Sequence, residues 1–239
     1  MNIALTIGTA GWTIPPALAD RFGGEGAHLA RYARVLGGVE INSSFHRPHR
    51  PATYTRWAAA TPAGFRFSVK LPKAITHGRR LVDTGDLLDG FLREVAGLGD
   101  KLAVLLVQLP PSLAFDRAVA DRFLTDFCAR TAVAIACEPR HPSWFGGDAD
   151  ACLAAHRVAR VAADPVLALG GDVPSGWPGL RYHRLHGSPR VYYSAYQGAF
   201  LRALADRLRA ADAPTWCVFD NTASGAATGD ALALRAALA

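Results

Sequence analysis

Ionisable and amide side chains occur in this sequence at the ends of short apolar runs. Three pairs have one residue between their members: Glu40 with Asn42, Glu138 with Arg140, and Arg184 with His186. Single polar residues end four further runs: Lys70, Gln108, Asp164 and Asp220. Carboxylates, an imidazole and a lysine amine are groups that acid–base and nucleophilic catalysis use. If the fold gathers them, the sequence predicts a site that moves protons beside a bound anion.

The elements that must position these groups follow from the alternation of short apolar runs with longer amphipathic segments. The pattern predicts eight strands, at Ala4–Thr9, Val39–Phe45, Phe65–Lys70, Ala103–Leu109, Val133–Glu138, Arg160–Asp164, Arg181–His186 and Trp216–Asp220. It predicts helices at His28–Leu36, Thr53–Ala60, Leu87–Leu98, Ala118–Arg130, Ala149–His156, Phe200–Arg209 and Asp230–Leu238. Asp86 and Asp148 are the predicted caps of two of them.

Near-continuous apolar strands that alternate with helices are typical of a parallel sheet covered on both faces. Eight such units predict an α/β fold, a single (β/α)8 TIM barrel that occupies residues 1–239 as one domain. The stretch from Leu167 to Pro178 is rich in Gly and Pro, so the sixth crossover is predicted to be a loop or a single turn. No GxGxxG follows a strand, which makes a dinucleotide-binding sheet the poorer interpretation.

Strand side chains alternate between the two faces, so residues two apart share a face. The members of each polar pair are therefore expected on one face, with Ile41, Cys137 and Leu185 toward the helices. In a barrel the carboxyl ends of all strands meet at one rim, where barrel enzymes have their active sites. A purely structural ion network is the alternative. We favour a functional pocket, because ion pairing often fails to offset the desolvation of so many charges.

Loop residues after the same strands extend the predicted site. Trp12, His77, His141 and Trp144 are candidate wall residues, although Trp144 suits a barrel cap equally well. Gly187 and Asn221 begin short loops after the seventh and eighth strands, where barrels often bind phosphate through exposed amides. Lysine occurs only at positions 70, 73 and 101 in an Arg-rich chain, which draws further attention to Lys70.

Composition narrows the classes of function. The 239 residues are 50% hydrophobic and 19% charged, as in globular proteins. No apolar run approaches the roughly 20 residues of a membrane span, and no basic region precedes the first apolar residues, so we expect a cytoplasmic protein without membrane contact. Four widely spaced cysteines predict free thiols. A net charge of +6 favours an anionic partner, but the Arg residues are scattered and form no block.

Seven segments together resemble the YecE-like family, also called domain of unknown function 72. They are GTAGW from Gly8, VEINSSF from Val39, FSVKLPKAITH from Phe67, LLVQLPPS from Leu105, EPRHPSWF from Glu138, YHRLHG from Tyr182 and VFDNTASGAA from Val218. The resemblance runs essentially from end to end and implies a TIM barrel. It implies no substrate, since the family's activity is unestablished.

The resemblance also carries a polar pattern onto this chain, at Glu40, Asn42, Lys70, His77, Gln108, Glu138, Arg140, His141, Arg184, His186, Asp220 and Asn221. This pattern agrees with the positions at the strand ends. The chain departs from the family pattern at Ala10, His46 and Asp230, where Ser, Tyr and Asn are common. These departures affect the expected shape of the rim.

Our first hypothesis is an enzyme for a small phosphorylated or carboxylated molecule: a lyase, isomerase or hydrolase that uses acid–base chemistry. Arg140, Arg184 and Lys70 would hold the anion, and Glu138 or His186 would move protons, with Lys70 as an alternative Schiff-base residue. Glu40 and Asp220 complete the predicted catalytic set.

Two alternatives remain open. The first is a hydrolase that depends on a divalent metal, with Glu40, Glu138, Asp164, Asp220 and His186 as ligands. Cations at positions 70, 140 and 184 count against it. The second is binding of nucleic acid without catalysis, which rests on net charge alone because no RNA-binding motif is present. The substrate, the cofactor and the oligomeric state do not follow from the sequence.

Overall fold

The computed structural model describes residues 4–239, in which parallel strands alternate with helices. The strands are β1 (Leu5–Thr9), β2 (Gly38–Ile41), β3 (Arg66–Lys70), β4 (Leu102–Gln108), β5 (Ala134–Glu138), β6 (Val158–Arg160), β7 (Ala162–Asp164), β8 (Ser175–Gly176), β9 (Arg181–Leu185) and β10 (Thr215–Phe219). The helices are α1 (His28–Tyr32), α2 (Pro51–Ala59), α3 (Gly85–Val95), α4 (Arg117–Arg130), α5 (Gly147–Ala155), α6 (Gly198–Arg209) and α7 (Ala226–Leu238). The predicted α/β alternation is confirmed.

The strands form two sheets, and the expected closed (β/α)8 barrel is not confirmed. One sheet has the order β1-β10-β9-β7, and the other has the order β2-β3-β4-β5-β6-β8. All neighbours are parallel except β6 and β8. The predicted sixth strand, Arg160–Asp164, is interrupted at Val161, so that β6 pairs with β5 whereas β7 pairs with β9. A single bridge, Ala10 to Glu40, joins the first sheet to the second on the other side.

The connections between strands follow the predicted pattern, except that two predicted helix caps are wrong. Between β7 and β9 the chain forms turns and the short β8, with no α-helix, as the Gly and Pro content predicted. Asp86 and Asp148 do not cap α3 and α5, because these helices begin at Gly85 and Gly147. Both aspartates lie in the first turn of their helix, where the negative charge of a carboxylate interacts favourably with the positive end of the helix dipole.

Side chains alternate between the two faces of each strand, and the buried apolar residues therefore form two separate clusters. The larger cluster lies between strands and helices and includes Ile41, Cys137 and Leu185, as parity predicted. The smaller cluster contains alternate residues on the opposite strand faces: Val104, Leu106, Ala136, Ala159, Val161, Leu180, Tyr182, Trp216 and Val218. On β9 the residue two positions after Tyr182 is Arg184, and Asp220, two positions after Val218, directly follows β10. This face thus changes from apolar to charged toward the carboxyl ends of the strands.

Two expectations from composition can be compared with residues 4–239. The longest helix of this range, α4, has 14 residues, and none could span a bilayer. All four cysteines are free thiols; Cys128 is half-buried and the others are buried.

Candidate functional site

The centre of the candidate site is the guanidinium group of Arg184, which has no exposed surface. Its Nε and Nη2 atoms donate to the two carboxylate oxygens of Glu40, at 3.0 and 2.7 Å. Nη1 donates to Oε2 of Glu138 at 2.6 Å, and Nη2 also donates to Oδ2 of Asp220 at 2.9 Å. Strands β9, β2, β5 and β10 therefore converge on one cation, as the positions of the strand ends predicted.

His186 and Arg140 extend this network toward the solvent. The imidazole of His186 lies between two carboxylates, with Nδ1 at 3.1 Å from Oδ2 of Asp220 and Nε2 at 2.7 Å from Oε1 of Glu138. Nη2 of Arg140 lies 2.8 Å from the same Glu138 oxygen and 2.7 Å from Nε2 of His186. Because acidic and basic groups are this close together, a proton shift at one affects its neighbours.

Electrostatics keep the acids of this network ionised. Burial by itself would raise the pKa of Glu138, but Arg184, Arg140 and His186 hold that pKa well below its usual range. Burial opposes ionisation of Asp220 in the same way, and attraction to Arg184 with the hydrogen bond from His186 lowers its pKa. The two carboxylates are therefore charged at neutral pH.

Tyr182 and Ser68 belong to the same network, although the sequence analysis did not select them. The Tyr182 hydroxyl lies 2.8 Å from Oε2 of Glu40 and 2.9 Å from Oγ of Ser68. Parity would have found both residues, because each stands two positions before a selected one, Arg184 or Lys70.

Lys70 ends β3 beside this network but outside its hydrogen bonds. Within residues 4–239 its Nζ makes no hydrogen bond and no ion pair within 4 Å; it lies 4.2 Å from the centre of the Phe45 ring. The ring of His77 packs edge-on against the Phe45 ring, with the two ring centres 5.0 Å apart. Burial and repulsion by Arg184 lower the pKa of Lys70 to about 8. Burial, Lys70 and Lys73 lower the pKa of His77, which is therefore neutral at pH 7.

Exposure divides the site into an inner and an outer layer. The side chains of Glu40, Glu138, Arg184 and His186 are at most 1% exposed. The outer groups retain solvent contact: Arg140 at 14%, Asp220 at 12% and Lys70 at 8%. Asn42 joins the outer layer, where its Nδ2 donates to Oδ1 of Asp220 at 3.4 Å. A ligand would meet the outer groups first.

Three buried polar atoms of the predicted site have no partner among residues 4–239: Oδ1 of Asn42, Nε of Arg140 and Oδ1 of Asn221. Such atoms are uncommon in folded proteins, because each costs roughly 1–3 kcal/mol of lost hydration. Two further such atoms in this range, Nε of Arg31 and the Tyr54 hydroxyl, lie elsewhere, so three of the five belong to the predicted site and require a physical explanation there.

The two loops predicted to bind phosphate are largely held by protein contacts. The amide of Gly187 donates to the Tyr196 hydroxyl at 2.8 Å, and φ there is +91°, which favours glycine. Nδ2 of Asn221 donates to the Ser194 carbonyl and to Oδ2 of Asp230, at 2.8 and 2.7 Å. Asp230, where the family commonly has Asn, thus supports the loop.

The remaining selected residues lie around the network. Oδ1 of Asp164 accepts from Tyr196 at 2.8 Å, away from the central carboxylates. His141 caps the short helix Pro142–Phe145, and Trp144 in that helix is buried with its Nε1 on the Leu113 carbonyl. Gln108 is half-buried and pairs in register with Glu138. Trp12 packs edge-on against Trp57, with ring centres 5.0 Å apart.

Comparison with known proteins places these residues in a wider context. Residues 6–239 match the model of a family described as "Protein of unknown function DUF72". The UPF0759 protein YecE of Escherichia coli (strain K12) is 33% identical over 82 residues, which cover 34% of this chain and 30% of that protein. The chain thus matches less than a third of the length of this relative.

Two solved structures share the fold. A DUF72 family protein of Enterococcus faecalis V583 has a TM-score of 0.81 at 19% identity, and the match covers 98% of this chain and 95% of that one. A DUF72 family protein of Thermotoga maritima MSB8 has a TM-score of 0.75 at 22% identity, with 98% and 99% covered. At these identities the likeness establishes the fold alone.

Proposed function

This chain belongs to the DUF72 family, and from that premise we propose that it is an enzyme for a small anionic molecule. The reaction proposed is a lyase, isomerase or hydrolase step that uses acid–base chemistry at the carboxyl ends of the strands. The observation that carries the proposal is the group of unpartnered buried atoms on Asn42, Arg140 and Asn221. A ligand anion would supply the acceptor that Nε of Arg140 lacks among residues 4–239.

The outer layer of the site favours an anion. Three acids, Glu40, Glu138 and Asp220, face the three cations Arg140, Arg184 and Lys70. The acids bond mainly to the fully buried Arg184, which leaves Lys70 and Nε of Arg140 without a carboxylate partner among residues 4–239. A phosphate or carboxylate group would bond to these outer cations.

The outer and inner layers of the site would have different roles in the proposed reaction. The outer groups Arg140, Asn42 and Lys70 would contact the ligand, and Asp220 would exchange protons with it. The inner groups, with Arg184 at their centre, would orient Asp220 and His186 and hold their charges. Preoriented charges of this kind lower the reorganisation that accompanies proton transfer.

We further propose that the two sheets act as the halves of one (β/α)8 barrel. Support comes from the Ala10–Glu40 bridge on one side and from the direct passage of β6 into β7 through Val161 on the other. The contacts of Arg184 to carboxylates on β2 and β5 also join the two sheets.

The metal-dependent alternative is less favoured by the geometry. Oxygens of Glu40, Glu138 and Asp220 already accept hydrogen bonds from Arg184, which a metal ion would have to displace. Asp164 bonds to Tyr196 instead. Among residues 4–239, the group with metal-ligand spacing is Asp121, Cys152 and His156, which lies on α4 and at the end of α5.

Nucleic-acid binding also remains a weaker proposal. The net charge of +6 is its only support. The cations of the strand ends are enclosed with carboxylates, whereas phosphate backbones are bound by accessible Lys and Arg.

A thermal-shift experiment tests the anionic ligand. The chain is titrated with matched pairs of small molecules: glycerol 3-phosphate with glycerol, and lactate with lactamide. A ligand at ten times its dissociation constant stabilises the folded chain by about 1.4 kcal/mol, which raises Tm by roughly 3–6 °C for a chain of this size. We expect at least one anion, and no neutral partner, to produce such a shift.

Two variants locate the binding. Arg140→Gln should abolish the shift, because it removes the exposed cation of the outer layer. Arg202→Gln, a change at an exposed position on α6, is the control and should leave the shift intact. If anions stabilise the wild type and Arg140→Gln equally, the anion does not bind at the strand ends and the proposal is wrong.

A further inference from the structure

Lys70 differs from the other two lysines of the chain. The ammonium of Lys101 donates to the Ala58 carbonyl and to the carbonyl and hydroxyl of Thr61, at 2.6–3.0 Å. Lys73 is exposed. Lys70 is 92% buried, yet within residues 4–239 its Nζ has neither a hydrogen bond nor an ion pair.

The surroundings of this amine explain why it remains unpaired. The nearby acids are engaged elsewhere: Glu40 and Glu138 bond to Arg184, and Asp220 bonds to Arg184 and His186. The Phe45 ring covers one side of Nζ, with its centre 4.2 Å away, and Lys70 keeps 8% of its surface exposed. Ser44 donates to the backbone carbonyl of Lys70 at 2.7 Å and thereby fixes the end of β3.

A buried, unpaired amine loses less when it gives up its proton than a paired one does. Its pKa of about 8 leaves roughly one fifth of the groups neutral at pH 7.4, compared with about one in a thousand for an ordinary lysine. The neutral form is the nucleophile.

We propose that Lys70 forms an imine with the carbonyl carbon of a small aldehyde or ketone that also carries the anionic group. This inference rests on the proposed function and adds the reacting group of the substrate to it. The anion would lie on Arg140, and the carbonyl carbon would face Nζ.

The step is balanced without any oxidant or reductant. The neutral amine adds to the carbonyl carbon, and the proton that the nitrogen then loses is passed to the carbonyl oxygen, which gives a neutral carbinolamine. A second proton, taken up from solvent, binds that oxygen and allows water to leave, and the nitrogen lone pair forms the C=N bond of the protonated imine. Addition of water reverses the sequence and releases the lysine.

Two groups are placed to move these protons. The neutral ring of His77 lies 5.0 Å from the Phe45 ring and is close enough to Lys70 for the two to interact. Asp220 also interacts with Lys70, and its side chain is 12% exposed. Once formed, the iminium withdraws electrons from the adjacent carbon, which suits the cleavage or isomerisation next to a carbonyl that the acid–base network would assist.

Reductive trapping on the wild-type chain tests this inference. The protein is incubated at pH 7.5 with sodium cyanoborohydride and either glyceraldehyde 3-phosphate or its neutral counterpart, glyceraldehyde. Peptide mass spectrometry then measures labelling at each of the three lysines. We expect Lys70 to be labelled by glyceraldehyde 3-phosphate at least tenfold faster than Lys73, with a rate that rises with pH around 8.

The outcomes separate this inference from the proposed function. Labelling of Lys70 no faster than Lys73 by both aldehydes overturns the imine, whereas the anion-dependent thermal shift would still stand by itself. Selective labelling by glyceraldehyde as fast as by its phosphate supports the amine and contradicts the preference for anions. The chain unfolded in guanidinium chloride is the control, in which all three lysines should react alike.

Discussion

At the scale of single residues, the main feature is a guanidinium that four strands share. Arg184 has no exposed surface and bonds to three carboxylates, so most of its interaction free energy offsets the cost of its own burial. The sequence analysis assigned it to anion binding, whereas its position favours a role in orienting Asp220 and Glu138. Accessible cations for a ligand are found instead at Arg140 and Lys70.

Replacement of Arg184 should show this structural role. We expect Arg184→Met to lower the free energy of unfolding by about 3–5 kcal/mol, because buried carboxylates lose their partner. Urea denaturation measures the change. Arg181→Met, on the same strand, is the control: Arg181 pairs with an Asp212 side chain that is 75% exposed, and such pairs contribute about 1 kcal/mol or less. Equal losses in the two variants would contradict the assignment.

At the scale of elements, the site depends on a close approach between β1 and β2. After β1, the amide of Ala10 donates to Phe219 on β10 and the amide of Gly11 donates to Glu40 on β2, at 2.9 and 2.8 Å. A short segment thus bonds to both sheets beside the central carboxylate. This approach requires a residue without a side chain at position 8, where a Cβ would lie 2.2 Å from the carbonyl oxygen of Gly38.

Addition of one methyl group at this junction should therefore separate the sheets. We expect Gly8→Ala to destabilise the protein by about 1–3 kcal/mol or more, since the obstacle is backbone. Gly37→Ala provides the control, because a Cβ there meets nothing within 4 Å. Thermal denaturation of both variants measures the difference. A Gly8→Ala variant as stable as Gly37→Ala would show that β1 and β2 are farther apart than described.

At the scale of the whole molecule, stability should depend on pH through groups outside the Arg184 network as well. His183 on β9 faces the helix layer and is 9% exposed. Burial, with repulsion by Arg207 and Arg181, lowers its pKa to about 4. The unfolded chain therefore binds more protons than the folded one between about pH 4 and pH 6.5, so acid favours unfolding.

This difference in proton binding predicts a measurable slope of the unfolding free energy against pH. The contribution of His183 is complete above pH 6.5 and is lost as the pH falls to about 4, by roughly 3 kcal/mol in total. Glu138 and Asp220, whose folded pKa values are depressed, add a further loss below about pH 4.5. We expect His183→Gln to reduce the change in unfolding free energy, measured by urea denaturation, between pH 6.5 and 4.5. His28→Gln, at an exposed position, should retain the slope, and an unchanged slope in His183→Gln would contradict the assignment.

The order of the elements and the residues of the candidate site can be predicted from local patterns in the chain. Short apolar runs predicted the strands, and parity predicted that Glu40, Glu138 and Arg184 share one face. Both follow from local physics, because strand side chains alternate with a period of two and apolar runs must be buried. The same parity places Tyr182 and Ser68 on this face, but a neutral hydroxyl by itself does not indicate a charged site.

Which charged groups meet and which stay unpaired depends on how the folded chain packs. Interruption at Val161 and the close approach at Gly8 depend on how strands pack, and no local pattern encodes them. Likewise, Lys70 and Arg184 look equivalent along the chain, yet one is left unpaired and the other bonds to three acids. The reason is that desolvation and ion pairing depend on distances between residues far apart in sequence, and these distances exist only once the chain has folded.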